Sequence, residues 1–199
     1  YITKQDEIMD GRVKTIHPNL FGGILADRNN QEHLRALSEL ESETIDLIVV
    51  NLYPFANEAV KNKLPMKDAI EYIDIGGPSM LRAAAKNYHS VCVLSDISDY
   101  SSFIENFDKN KKNINLDWRK ESAAKVFLRT SKYDASIFKY FNNDNKEKLS
   151  ENNIISLLKK NDLRYGENPH QKGAFYIEDN NQLDWTQHQG KDLSYNNYF

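Results

Sequence analysis

Apolar residues recur along the chain in two kinds of spacing. Leu34, Leu37 and Leu40 fall at helical intervals, which predicts a short amphipathic helix over Gln31 to Leu40. Ile45 to Asn51 is instead a near-continuous apolar run rich in β-branched residues, the pattern of a strand buried on both faces. It leads into Asn51-Leu-Tyr-Pro-Phe55, where Pro54 stops the strand. Residues 56–71 read as a polar, lysine-rich helical segment. Ser90-Val-Cys-Val-Leu94 is a second buried strand, ending in Ser95-Asp96. Tyr100, Phe103, Ile104 and Phe107 form one face of a further helix. Trp118, Val126, Phe127, Tyr133, Ile137 and Phe141 fit a long helix or a broken pair. Short apolar strands alternating with helices predict an α/β domain with a parallel sheet. No internal repeat interrupts the pattern.

Between these elements the polar stretches carry turn signals. Glu7 to Thr15 is a loop that turns at Asp10-Gly11, with Arg12 and Lys14 on alternate positions, so that an extended backbone points both the same way. The paired glycines Gly22-Gly23 suggest a turn or a close backbone approach. Tyr72 to Asn87 reads as a short apolar run carrying Asp74, a turn at Gly76-Gly77, and a helix with Pro78 at its first position. Ala83, Ala84 and Ala85 carry that helix to Lys86, about two turns on. A carboxylate stands before a helix N-terminus, itself an anion or oxyanion site, and an amine follows. An Ala-rich core helix with a glycine turn explains the same residues equally well.

Asn142 to Asn153 is rich in Asn, Lys, Glu and Asp and reads as a linker or mobile loop. Organised sequence restarts at Leu163-Arg-Tyr-Gly-Glu-Asn-Pro-His-Gln171, followed by a strand over 173–177 and a turn-like stretch over 190–197. The expected organisation is a domain over 1–150, a linker over 151–162 and the beginning of a second domain over 163–199. The chain opens at Tyr1 within patterned sequence, so a preceding segment is expected.

Composition narrows the classes of function. A net charge of −3 gives no electrostatic reason to expect nucleic acid, and the lysines at Lys109–Lys112 read as a solvated helix end. No apolar run spans a bilayer, and no signal-peptide pattern opens the chain. The single cysteine, Cys92, excludes an internal disulfide and fits a reducing compartment. The five histidines show no metal-ligand spacing with one another or with Cys92, so no metal site is expected. A Walker-type phosphate loop, a dinucleotide glycine fingerprint and a nucleophile elbow are all missing.

Open α/β sheets bind ligands beyond the carboxyl ends of their strands. Three segments are candidates for that position: Arg12–Thr15, Asn51–Tyr53 and Asp74–Gly77. They would set Lys14, Tyr53, Asp74 and Lys86 around one crevice, with Arg12 as a charge clamp. Plainer roles stay open for each. Arg12 and Lys14 fit solvated cations, Tyr53 a packing aromatic, Asp74 a helix cap, and Lys86 a partner for its helix C-terminus. His17 and His89 fit structural roles.

Taken in order, Gly11-Arg-Val-Lys-Thr-Ile-His-Pro18, Asn51-Leu-Tyr-Pro-Phe55, Ile73-Asp-Ile-Gly-Gly77, Arg82-Ala-Ala-Ala-Lys-Asn87 and Leu163-Arg-Tyr-Gly-Glu-Asn-Pro-His-Gln171 resemble the AICAR transformylase/IMP cyclohydrolase family of bifunctional purine-biosynthesis enzymes. The resemblance implies a methylglyoxal-synthase-like α/β domain with a parallel sheet flanked by helices. The start of a second, cytidine-deaminase-like α/β domain would follow. It further implies formyl transfer from the co-substrate 10-formyltetrahydrofolate to AICAR, and closure of the resulting FAICAR to IMP with loss of water. Neither a metal nor a redox cofactor is expected for the closure. A cytoplasmic homodimer acting on these small nucleotides, with no nucleic acid or membrane partner, completes the expectation.

Carried over by motif, Arg12, Val13, Lys14, Thr15, Val50, Asn51, Asp74 and Ile75 would contact the nucleotide. Lys86 matches the family's proton-transfer lysine, and Tyr53, Lys14 and Asp74 its other cyclohydrolase catalytic positions. Arg164 and Tyr165 match residues that hold AICAR in the transformylase site. The family's Ser-Asp-Lys motif and Gly/Thr-rich phosphate loop, expected upstream, and its Lys-His pair, expected beyond Phe199, are not in this sequence. The chain by itself is therefore expected to lack formyl transfer and part of the phosphate grip.

FAICAR closure joins a carboxamide nitrogen to a formyl carbon in the same molecule, so the enzyme has mainly to select the folded conformer. Asp74 would orient or deprotonate the amide, Ile75–Gly77 with Lys14 would hold the oxyanion, and Lys86 and Tyr53 would carry protons. Two other readings are a non-catalytic nucleotide- or phosphate-binding α/β module, and a stand-alone relative of methylglyoxal synthase. The stretch Arg164–Gln171 argues against the second.

Overall fold

The computed structural model describes residues 2–110, 113–142, 151–178 and 186–198. Lys111 and Lys112 of the lysine cluster, and residues 143–150 of the Asn/Lys-rich stretch, lie outside the described residues. The chain divides into two compact units, Tyr1–Asn145 and Lys146–Phe199.

The first unit opens with a narrow loop in which Ile8 and Val13 bridge antiparallel, turning through positive φ at Met9, Asp10 and Gly11. Helix α1 follows, Pro18–Leu25. His17 caps it, its Nδ1 accepting the Asn19 N–H at 3.2 Å, and Pro18 at N1 gives up no hydrogen bond. Gly22 and Gly23 lie inside this helix, so the turn they suggested is not there, whereas the close approach is. A Cβ on Gly23 would sit 2.5 Å from the Glu43 carbonyl. That proximity lets the Ile45 N–H reach the Gly23 carbonyl at 2.9 Å.

Helix α2, Gln31–Glu39, is the amphipathic helix expected, and it buries Leu37. Strand β1, Leu47–Val49, pairs in parallel with β2, Cys92–Leu94, in the register Leu47↔Cys92, Ile48↔Val93 and Val49↔Leu94. β2 is buried at all three positions, as expected. β1 is not: Ile48 is buried, but Leu47 and Val49 are 38% and 46% exposed. The β-branched run therefore overstated its burial.

The segment 56–71 is not one helix. A π-helical turn, Ala56–Lys61, is followed by α3, Met66–Ala69, and a 3-10 turn, Ile70–Tyr72. Lys63 at φ +50° ends the first piece, and Pro65, which lacks an N–H and disfavours helical backbone before it, separates the second. Ile73, which is extended, and Asp74 then lead, without forming a strand, into α4, Gly76–Lys86. This helix begins two residues before Pro78, and both glycines belong to it.

Helix α4 presents Leu81, Ala84 and Ala85, all at most 2% exposed, to the core. Burying Leu81 alone stabilises by about 2 kcal/mol, and the alanines let neighbouring helices approach closely. After the 3-10 turn Ile97–Asp99 and α5, Tyr100–Lys109, comes α6, Leu116–Asn142, one unbroken helix of 27 residues. Its buried stripe is Ala123, Val126, Thr130 and Tyr133, at the 3-4-3 spacing of a core-facing helix. Phe127, counted in that apolar pattern, is 45% exposed and lies under the Arg82 guanidinium at 5.6 Å. The result is a parallel sheet with helices packed against it, the α/β arrangement expected.

In the second unit β3, Leu157–Leu163, and β4, Gly173–Glu178, form an antiparallel pair with an irregularity between Lys159 and Asn161. Most of β3 falls within 151–162, the range expected to be a linker. Its lysines and asparagines masked a strand that stays largely exposed.

Candidate functional site

The expected catalytic residues meet, or fail to meet, around helix α4. At its N-terminus Asp74 Oδ1 accepts the Gly77 N–H at 2.8 Å, and Ser79 Oγ donates to the Ile75 carbonyl at 2.7 Å. Glycine gives room for two side chains at this turn. A Cβ on Gly77 would fall inside contact distance of the Asp74 carboxylate, and one on Gly76 would fall inside that of Thr15 Oγ1. The same contact brings Thr15, from the entry loop, onto the first residue of the helix.

Asp74 thus caps α4, which was the plainer of its two roles. Its bond to Gly77 also corrects the expected oxyanion site. Pro78 has no N–H, and the Gly77 N–H is already taken. Ile75 and Gly76 keep N–H groups with no acceptor among the described residues. Ile75 is 56% exposed, so this end of the helix opens to solvent.

Lys14 pairs with Glu7 at 2.7 Å. The hydrogen bond to Glu7, and then its charge, raise the Lys14 ammonium above the ordinary lysine value; burial opposes this slightly, and nearby Tyr53 adds to it. Lys14 and Tyr53 therefore lie in one neighbourhood, with Tyr53 59% exposed. Arg12 forms an ion pair with Glu71, four residues before Ile75. Val13 is held by its bridge to Ile8. Val50 donates its N–H to the Leu94 carbonyl at 3.1 Å, and Asn51 Nδ2 donates to the Tyr100 hydroxyl at 3.1 Å. Both follow directly from β1.

Lys86 is not brought to this group. It is the last residue of α4 and exposed, about 15 Å along the helix from Gly76 at 1.5 Å per residue. The spacing of about two turns expected from Pro78 becomes nearly three from the true helix start. Next to Lys86, Asn87 Nδ2 donates to the Ile24 and Ala26 carbonyls at 2.8 and 3.0 Å, which fixes this end of the helix to α1.

One participant escaped the sequence reading. Tyr133, on α6, accepts the Asp74 backbone N–H at 2.7 Å and donates to the Tyr72 carbonyl at 3.2 Å. Burial, ahead of other causes, raises its phenol above the ordinary tyrosine value, so it stays protonated and able to donate. A tyrosine on a buried helix face must find a partner for its hydroxyl, which was the available signal. The partner, 59 residues away, was not readable.

Other reactive side chains have structural roles. Burial pushes the Cys92 thiol up to about 11, so it is no nucleophile at neutral pH. His33 Nδ1 accepts the Asp27 N–H at 3.2 Å, and the His89 ring lies against Tyr88 at 4.1 Å between centroids. Among the described residues no cluster of His, Cys, Asp or Glu could hold a metal ion, and no helix is long and apolar enough to cross a membrane.

In the second unit Arg164 and Tyr165 adjoin in a tight loop. The Arg164 guanidinium stands 5.3 Å from the Tyr165 ring centroid. The Arg164 N–H reaches the Leu193 carbonyl at 2.9 Å, and Gly166 and Gln171 close the loop with a 2.7 Å backbone bond.

The family described as AICARFT/IMPCHase bienzyme matches residues 84–199. The chain is similar to the bifunctional purine biosynthesis protein PurH of Fusobacterium nucleatum, with 49% identity across 98% of this chain and 38% of that protein. With PurH of Bacillus subtilis the identity is 46%, across 98% of this chain and 39% of that one. The chain therefore spans about two fifths of the length of these curated relatives. Among solved structures, the crystal structure of ForH aligns with a TM-score of 0.60 and 31% identity, covering 70% of this chain and 71% of that one.

Proposed function

The chain belongs to the AICARFT/IMPCHase bienzyme family, and on that premise we propose that residues 1–150 form the IMP cyclohydrolase domain of a bifunctional purine-biosynthesis enzyme. The fold we assign is methylglyoxal-synthase-like, with residues 163–199 opening a cytidine-deaminase-like transformylase domain. The reaction is closure of FAICAR to IMP. The carboxamide nitrogen attacks the formyl carbon and gives up one proton as a C–N bond forms, the formamide nitrogen gives up its own as a C=N bond closes the ring, and the former formyl oxygen departs with both as water.

The observation that carries this reading is the juxtaposition at the start of α4 of a carboxylate, two N–H donors with no acceptor among the described residues and the entry-loop residue Thr15. Asp74 orients or deprotonates the amide. The Ile75 and Gly76 N–H groups, with Lys14, stabilise the oxyanion in a site whose dipoles are already aligned. Tyr53 and Lys86 carry protons, and Arg12 offers its charge to the phosphate once Glu71 is displaced. Val13, Thr15, Val50 and Asn51 line the nucleotide. Lys86 stands a helix-length away, as the last residue of α4. In the second unit, Arg164 and Tyr165 hold AICAR, and 10-formyltetrahydrofolate is the formyl donor. The protein at the full length of its relatives acts as a cytoplasmic homodimer.

The test is Lys86→Ala in a protein carrying this chain at that full length. FAICAR cyclisation is expected to disappear while AICAR formylation persists; cyclisation at the parent rate removes Lys86 from the mechanism. A binding module without turnover is a second reading, favoured by the capping role of Asp74 and the paired state of Arg12 and Lys14. Calorimetry with IMP beside the cyclisation assay separates the two, since tight binding without turnover supports the module.

A further inference from the structure

The segment that delivers Asp74 to α4 belongs to no strand or helix, so its peptide groups have no ladder to satisfy them. One side chain takes over that task. The Tyr133 hydroxyl lies between the Tyr72 carbonyl, to which it donates, and the Asp74 N–H, which it accepts. It therefore holds both peptide groups that flank Ile73. The Tyr133 ring meets Phe55 edge-on, with centroids 6.4 Å apart, and Phe55 is the anchor, 1% exposed, of the loop that carries Asn51 and Tyr53. Tyr133 itself is 9% exposed and sits on α6, the longest described helix of the unit.

We propose that Tyr133 is a positioning residue for the cyclohydrolase reaction, acting through the Asp74 backbone to set the carboxylate against the α4 N-terminus; this rests on the reading of Asp74 as a catalytic group. A reacting group has to be held to within a fraction of an ångström, and support from a packed helix does this better than a free loop. The hydroxyl and the ring have separable tasks. The hydroxyl fixes the Asp74 segment, while the ring supports the Asn51–Phe55 loop.

Tyr133→Phe keeps the ring and removes the hydroxyl. In the protein at the full length of its relatives, it is expected to lower kcat for FAICAR cyclisation about tenfold, with KM changed by less than about twofold. Thermal unfolding of the same sample, followed by circular dichroism, reports that the cyclohydrolase domain is folded. The decisive readout is a double-mutant cycle with Asp74→Asn under single-turnover conditions. If Tyr133 acts through Asp74, Tyr133→Phe costs little further rate once Asp74 is replaced. A full additional loss in that background assigns Tyr133 a general structural role and overturns the proposal, as does a Tyr133→Phe enzyme at the parent rate.

The failure of the underlying reading looks different. Asp74→Asn would then cyclise at the parent rate, whatever Tyr133→Phe does. Amide exchange in the unmodified protein adds a measurement independent of any variant. The Asp74 N–H is expected to exchange slowly, and exchange at the rate of an open loop overturns the hydroxyl contact.

Discussion

The two ends of helix α4 carry residues of one family motif set, yet they are built in opposite ways. At the N-terminal end the backbone is crowded: Thr15 touches Gly76, the Asp74 carboxylate fills the space beside Gly77, and Tyr133 holds the approach from α6. At the C-terminal end Lys86 is exposed, and its neighbour Asn87 is bound to the carbonyls of Ile24 and Ala26. The first end has its polar groups pre-engaged and oriented by the fold. The second is a charged side chain on a fixed stalk. Residues that stand together in a motif can therefore differ in how much of their geometry the protein has already set.

The sharpest way to break this comparison is to remove one group from each end. Asp74→Ala is expected to cut FAICAR cyclisation about 100-fold or more and to cost about 1 kcal/mol of stability, because the cap is removed together with the chemistry. Lys86→Ala is expected to abolish cyclisation with a stability change within about 0.5 kcal/mol, as for an exposed surface group. Thermal denaturation run beside the activity assay tests the asymmetry, and equal losses of stability would erase it.

A smaller effect sharpens the description of the C-terminal end. Asn87→Ala leaves the Ile24 and Ala26 carbonyls without their donor and is expected to cost about 1–3 kcal/mol. Urea titration checks this through a lower midpoint at unchanged slope; an unchanged midpoint would show that water replaces the amide at no cost.

The smallest effect concerns the entry loop. Glu7 is held below the ordinary carboxylate value by its hydrogen bond to Lys14 and then by the lysine charge, while Lys14 is raised for the same reasons. What Glu7 contributes is present above its unfolded value and lost as pH falls through its folded one. What Lys14 contributes is present below its unfolded value and lost as pH rises through its folded one. The pair therefore persists from the carboxylate range to the lysine range, and neutral pH lies within that window. Glu7 competes there with an anionic ligand for Lys14. Glu7→Gln is expected to tighten IMP binding by less than about threefold at low salt, with the gain fading as salt screens the exposed pair. Weaker binding in the variant would mean that Glu7 orders the loop instead.

Much of the architecture was legible because periodicity reports burial. Helices α2, α5 and α6 and strand β2 follow from the spacing of Leu37, Phe103, Val126 and Val93 with their neighbours. Local chemistry misled the reading where tertiary contact decides. Gly22-Gly23 signalled a turn but instead thins α1 so that the Glu43–Ile45 backbone can lie against it. Gly76-Gly77 signalled a turn before a helix, whereas Asp74 and Thr15 allow the helix to begin there. Of the candidate site, Asp74, Thr15, Lys14 and Tyr53 were identifiable from residue type and motif. Their mutual placement was not, and neither was Tyr133, because a hydroxyl on a helix face does not announce which distant peptide it will meet. The separation of Lys86 from Asp74 depends on where α4 begins, which only the capping contacts reveal.

The bond between Tyr133 and Asp74 spans 59 residues, and that separation has a consequence for the order of events during folding. The Asp74 side chain has a local partner in Gly77, but its backbone N–H is met from α6, so the segment reaches its final geometry only when α6 docks on the rest of the unit. Closing so long a loop is paid in chain entropy before the contact returns anything. Refolding should then recover helical signal first and ligand binding at the α4 N-terminus later, in step with the burial of Tyr133. The site would be the last part of the domain to mature, although it uses some of the shortest motifs in the chain.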